Sequence, residues 1–101
     1  MALVYDINGY EAIAVGAAAV GITAALLAVG VNYALITVET QPVRFRMDGV
    51  DPTAVEGHLL NVGDILELEG GTACLQFRAI QTAAGASNLR VSLGYRERGM
   101  P

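Results

Sequence analysis

The residues able to do chemistry are few and thinly spread along the 101 positions of the chain. Asp48, Asp51 and Glu56 fall within one short run, DGVDPTAVE, close enough to share a divalent cation. A calcium loop takes its oxygen donors in a fixed order that this run lacks, so the three read as ordinary acids of a turn. His58 is the only histidine. An imidazole base or metal ligand needs partners placed around it, and no relay or second ligand pattern supplies them; His58 reads as a strand-end or interface residue. Cys74, the lone cysteine, leaves no intramolecular disulfide and no cysteine zinc site within one chain. Flanked by Ala73 and Leu75 with no basic neighbour, it reads as a buried small hydrophobe rather than a reactive thiol. The spacing of Gly16 and Gly21, in a chain without lysine, excludes a phosphate loop of the usual kind. The expectation is a protein that is not an enzyme, with no catalytic residue, cofactor or metal ligand.

The remaining polar and aromatic residues are candidates for contact. Glu67 and Glu69 form an i, i+2 acidic pair on one strand face, set to meet Arg44 and Arg46 on another strand or on a neighbouring subunit. Such a cross-strand pair contributes about 0.2 to 1 kcal/mol, enough to favour a register. Tyr5, Tyr10, Arg44, Arg46, Glu67, Glu69 and Arg78 are the candidate interface residues. All six basic residues are arginine, a choice that suits packed contacts between proteins, although codon usage accounts for it equally well. A formal charge of -4 argues against general affinity for nucleic acid or anionic lipid.

These residues must be positioned by a chain that is 53% hydrophobic and 16% charged, which is one domain with a modest core. Its most conspicuous segment is AIAVGAAAVGITAALLAVGV, residues 12 to 31, long enough for a membrane helix. Eleven of those twenty residues are Ala or Gly, however, and contribute little apolar area. Acids rather than bases precede the stretch, so the flank that orients a membrane helix, or that opens a secretory signal, is missing. Gly16, Gly21 and Gly30 together with the β-branched Val15, Val20, Ile22, Val29 and Val31 favour short strands, AIAV, GITAALLAV and YALITVE, with AALL open to helix or strand. The reading weighs against a membrane span, and a small membrane protein stays as the last alternative, marked by detergent partitioning and a strongly helical spectrum.

Beyond residue 32 the pattern is clearer. YALITVE alternates as a strand covered on both sides, and VRFRM sends Val43, Phe45 and Met47 inward and Arg44 and Arg46 outward. DGVDPT closes that strand with two turn formers. Strands follow at His58 to Leu60 and Ile65 to Glu69 around the turn Asn61 to Asp64, then in ACLQFRAIQT and NLRVSLGY, joined by AAGAS as a hairpin loop. The fold class is all-β: a compact antiparallel β-sandwich or barrel-like domain with an extended or partly irregular N-terminal segment. Residues 1–10 are expected as an N-terminal arm, 11–95 as the sandwich and 96–101 as a flexible tail.

The run TVETQPVRFRMDGVDPTAVEGHLLNVGDILELEG, followed by QFRAI and LRVSLGY, resembles small virion proteins of tailed bacteriophages. The shared features are an RxDGxxPT turn, an EGHLL…GD…L segment and an FRAI strand before a closing hairpin, spanning residues 37 to 95; the opening ALVYDINGYEAIAV through GITAALL is also similar. The DGxDPT turn alone also resembles β-sandwich repeats attached to bacterial carbohydrate-active enzymes. The phage resemblance implies a capsid decoration or cement protein on the capsid exterior, made in the host cytoplasm. It implies a homo-oligomer, with a trimer favoured, bound to the major capsid protein and making no direct contact with nucleic acid or membrane. A head-to-tail connector or tail ring subunit is the alternative, and a carbohydrate-binding module a further one, weakened by the absence of Trp.

Overall fold

A computed structural model of the chain describes residues 4–27 and 30–97. Seven strands form two antiparallel sheets around one core. Strand β1 (Val4–Val15) leads through a 3-10 turn (Ala24–Leu27) to β2 (Tyr33–Glu39), β3 (Val43–Arg46), β4 (His58–Leu60) and β5 (Ile65–Glu69). A short helix α1 (Gly71–Gln76) then precedes β6 (Arg78–Gln81) and β7 (Ser87–Glu97). The larger sheet has the order β1-β7-β2-β5 and the smaller β4-β3-β6. The all-β, sandwich-like architecture expected from the alternation is the one observed.

Alternation explains which residues meet. Leu89, Val91 and Leu93 of β7, Ala34, Ile36 and Val38 of β2, and Val43 and Phe45 of β3 turn inward, pack on Phe77 and Leu68, and are buried. Each fully buried Val, Leu or Phe contributes roughly 1.5 to 3 kcal/mol relative to exposure, so this shared face holds the sheets together. The expected strand VRFRM ends one residue early, at Arg46, and Met47 is exposed rather than in the core. The asparto-glycine turn begins there and releases the side chain from the pleat.

The apolar N-terminal stretch is sheet material in its first part only. Val4–Val15 is one continuous strand paired along its length with β7, with a bulge between Ile7 and Gly9, and the boundary expected at residues 10 and 11 falls inside it. Val20 pairs with Ala79 on the edge of β6, Ile22 is buried, and AALL forms the 3-10 turn, with Leu26 and Leu27 packed partly buried against the core. Gly21 is needed where the segment passes the other sheet: a Cβ there would lie 2.7 Å from the Phe77 carbonyl oxygen. No helix among the described residues is long and apolar enough to cross a membrane. Residues 98–101 of the expected tail lie outside the described residues, and β7 runs to Glu97.

Two further expectations are corrected. The first half of ACLQFRAIQT is helix α1 rather than strand, because the chain must pass from the outer edge of one sheet at β5 to the other at β6. The residues AAGAS do not close a hairpin: β6 and β7 belong to different sheets, and the loop arches between them. A second crossing, from β2 to β3, lies beside this arch. Ser87, the one buried polar residue among the described ones, serves both: its hydroxyl lies 2.6 Å from the Glu39 carbonyl and 2.5 Å from that of Gln41, and accepts the Gln41 N–H at 3.2 Å. Replacing Ser87 with Ala strands these corner groups without a partner and is expected to cost about 1 to 3 kcal/mol, read from urea unfolding midpoints.

Candidate protein interface

The smaller sheet presents arginines on its outer face because its apolar residues point the other way. Arg46 and Arg78 sit directly opposite each other in the β3–β6 register, an arrangement of like charges that destabilises a sheet. The DGVDP turn resolves it. Arg46 binds Asp48 with Nε–Oδ1 3.1 Å and a second contact of 2.5 Å from Nη2 to Oδ2, while Arg78 Nε lies 2.9 Å from Asp51 Oδ1. Arg78 also donates to the Ala19 carbonyl at 3.1 Å, tying the N-terminal segment to the same edge. Two of the expected interface arginines, Arg46 and Arg78, are thus internally partnered.

The loop that carries these acids folds on its own side chains. The Asp48 carboxylate accepts the Val50 N–H, the Thr53 hydroxyl oxygen accepts those of Val55 and Glu56, and Pro52 is buried. Gly57 closes the loop at φ 136, where a Cβ would approach the Phe45 carbonyl oxygen to 3.0 Å. Arg44 braces the loop by donating to the Gly57 carbonyl at 3.1 Å, while its own Nε is buried without a partner. A surface groove lined by Arg46, Met47, Asp48, Glu56, Gly57 and His58 lies beside it. None of those residues is a Ser, Thr or Cys nucleophile, and His58 packs against Phe45 with ring centroids 5.2 Å apart. No group of three His, Cys, Asp or Glu residues able to hold a metal ion occurs among the described residues.

Glu67 and Glu69 lie on β5, at the edge of the larger sheet, so within one chain they do not meet Arg44 and Arg46 on the smaller one. The Tyr33 hydroxyl donates to Glu67 instead. Tyr10 is exposed on the outer face of β1, and Tyr5 lies in the same strand opposite Arg96. The expected residues therefore divide into two sets: arginines on the smaller sheet, and Tyr5, Tyr10, Glu67 and Glu69 on the larger. Sequence reasoning missed the pairing of Asp48 and Asp51 with the arginines; the Arg46-x-Asp48 spacing was the available signal, whereas the Asp51 contact spans 27 residues and had none.

What this defines is a small two-sheet β domain in which two arginines of one sheet are paired with the acids of one turn. No protein-family model, curated protein or solved structure matches the chain.

Two measurements probe this chemistry. The hydrogen bond from Arg46 holds the Asp48 carboxyl below the usual carboxylate range. A lowered folded-state pKa adds stability that is present above the unfolded aspartate's pKa and is lost as pH falls through the folded one. Asp48→Asn is expected to destabilise at neutral pH, with the difference from wild type vanishing in acid, as read from thermal unfolding at a series of pH values. Cys74 is fully buried, and desolvation pushes its thiol pKa up. Its alkylation by iodoacetamide should track global unfolding, with no reaction in the native protein on the same timescale.

Proposed function

We propose that this protein is a structural component of a tailed-bacteriophage virion, a capsid decoration or cement protein that self-associates and binds the major capsid protein. The observation that carries the reading is the role of the RxDGxxPT residues. Arg46, Asp48, Pro52 and Thr53 brace a loop against a sheet, with Pro52 buried and the Asp48 and Thr53 side chains holding the loop's own N–H groups. The segment on which the resemblance rests is therefore a shape-determining element, as a subunit working through surface contacts requires. Around that loop Val50, Val55 and Leu59 are exposed, with Val55 at 84%, which offers apolar contacts to a larger protein surface. Many such contacts, each modest, add through the symmetry of a capsid lattice.

The test is stoichiometry in purified particles, by quantitative mass spectrometry against the major capsid protein. Decoration predicts on the order of hundreds of copies per head, spread over a symmetric lattice. About a dozen copies would indicate a connector or tail ring, the cyclic alternative. Absence from the particle overturns the virion assignment altogether.

A further inference from the structure

The two sheets have four outer edges, and three are guarded. The edge of β6 is occupied by the N-terminal segment, through Val20 N–H to Ala79 O at 2.8 Å, Ala79 N–H to Val20 O at 2.7 Å and Gln81 N–H to Gly16 O at 3.0 Å. Strand β4 is three residues long, and β5 has five residues, two of them glutamates. Short and charged edges are how natural sheets avoid pairing with other chains. Strand β1 is the exception: twelve residues, paired on one side with β7, and with no backbone hydrogen bond on its other side among the described residues. Alternate residues of an antiparallel strand turn their N–H and C=O groups away from the neighbour, so this edge presents a row of unused donors and acceptors.

We propose that β1 pairs antiparallel with β1 of a second copy across a two-fold axis at Ala12, joining the two larger sheets into one continuous eight-stranded sheet. The register follows from three constraints. The bulge between Ile7 and Gly9 changes which face each residue takes, so matching faces can continue only over Gly9 to Val15. An axis at Ala12 uses all seven of those residues, whereas axes at Tyr10 or Ile13 use fewer. An axis at Glu11 sets two carboxylates opposite each other, which is destabilising. With the axis at Ala12, exposed Tyr10 covers exposed Ala14 of the second copy, a large side chain beside a small one, and Glu11 faces Ile13. The Glu11 carboxylate is already held by the Thr23 N–H at 3.0 Å and the Thr23 hydroxyl, so the seam receives no unbound charge. A second β1 fits this edge better than β5 of a neighbouring copy, which has five residues and so pairs with fewer of the seven.

The pairing stands apart from where the protein acts, and a trimer would need a separate three-fold surface. Seven paired residues bury a small area, so association depends on concentration.

Cysteine cross-linking reads the register. Directly opposed residues have Cα atoms about 4.5 to 5.5 Å apart, inside the roughly 4.4 to 6.8 Å range of a disulfide. Ala12→Cys is expected to give a covalent dimer under mild oxidation, since native Cys74 is buried and does not compete. Ala14→Cys, whose counterpart lies four residues along, about 13 Å away, is expected to stay monomeric. Hydrogen exchange on the unmodified protein is independent of any variant: amides within Gly9 to Val15 should slow by about tenfold or more as concentration rises, with other segments unchanged. Ala12→Lys, placing two cations on the axis, should weaken self-association by about tenfold. A folded Ala12→Cys chain that stays monomeric, equal cross-linking at both positions, or exchange protection that is absent up to roughly millimolar protein or maps elsewhere would each overturn the proposal.

Discussion

The fold depends on carrying the chain twice between two sheets at one corner without leaving backbone groups stranded. Both crossings, β2 to β3 and β6 to β7, meet at Ser87, whose buried hydroxyl takes up the carbonyl and N–H groups that the turning backbone releases. A buried unpaired polar group costs on the order of 1 to 3 kcal/mol, so each group satisfied at the corner weighs as much as one core side chain. Thr40, at φ 83, makes the sharp turn beside it. From Ser87 onward, β7 becomes the shared neighbour of β1 and β2 and sends Leu89, Val91 and Leu93 into the core. The first and last strands of the chain therefore lie side by side. Closing so long a loop before its contacts are rewarded is characteristic of β proteins that fold slowly.

Charge is arranged for shape. Arg46 and Arg78 face each other because β3 and β6 must bury Val43, Phe45 and Ala79, and the aspartates of one turn neutralise both guanidinium groups. With its charges so occupied, the smaller sheet presents a defined surface rather than a strong field. The larger sheet differs in kind. Its β1 side carries Ile7, Tyr10, Ala12 and Ala14 outward, and its β5 side Glu67, with Arg90 between them bound to Glu39 at 3.3 Å. The apolar edge and the braced loop thus lie on different sheets of one small domain.

How much of this was legible beforehand depended on the range of the forces involved. Strands at Tyr33–Glu39, His58–Leu60 and Ile65–Glu69 were evident with their limits, because alternation and turn residues act over a few positions. The arginines of β3 were identifiable as outward-facing for the same reason. Their partners were only half visible: Asp48 is two residues from Arg46, but Asp51 reaches Arg78 only after the turn has folded against β6.

The amino-acid order by itself determined a β-rich domain, the inward set of side chains along each clear strand, and the turns, since each follows from local backbone preference and the period of the pleat. Tertiary structure decided the rest. GTACLQ became a helix, AAGAS an arch instead of a hairpin, and the alanine-rich stretch part strand and part edge cover. Their local patterns suit more than one conformation, and the choice fell to whichever one closed the core between two sheets. Which strand was left with an open edge was settled in the same way, because an edge exists only once every other strand has found its neighbours.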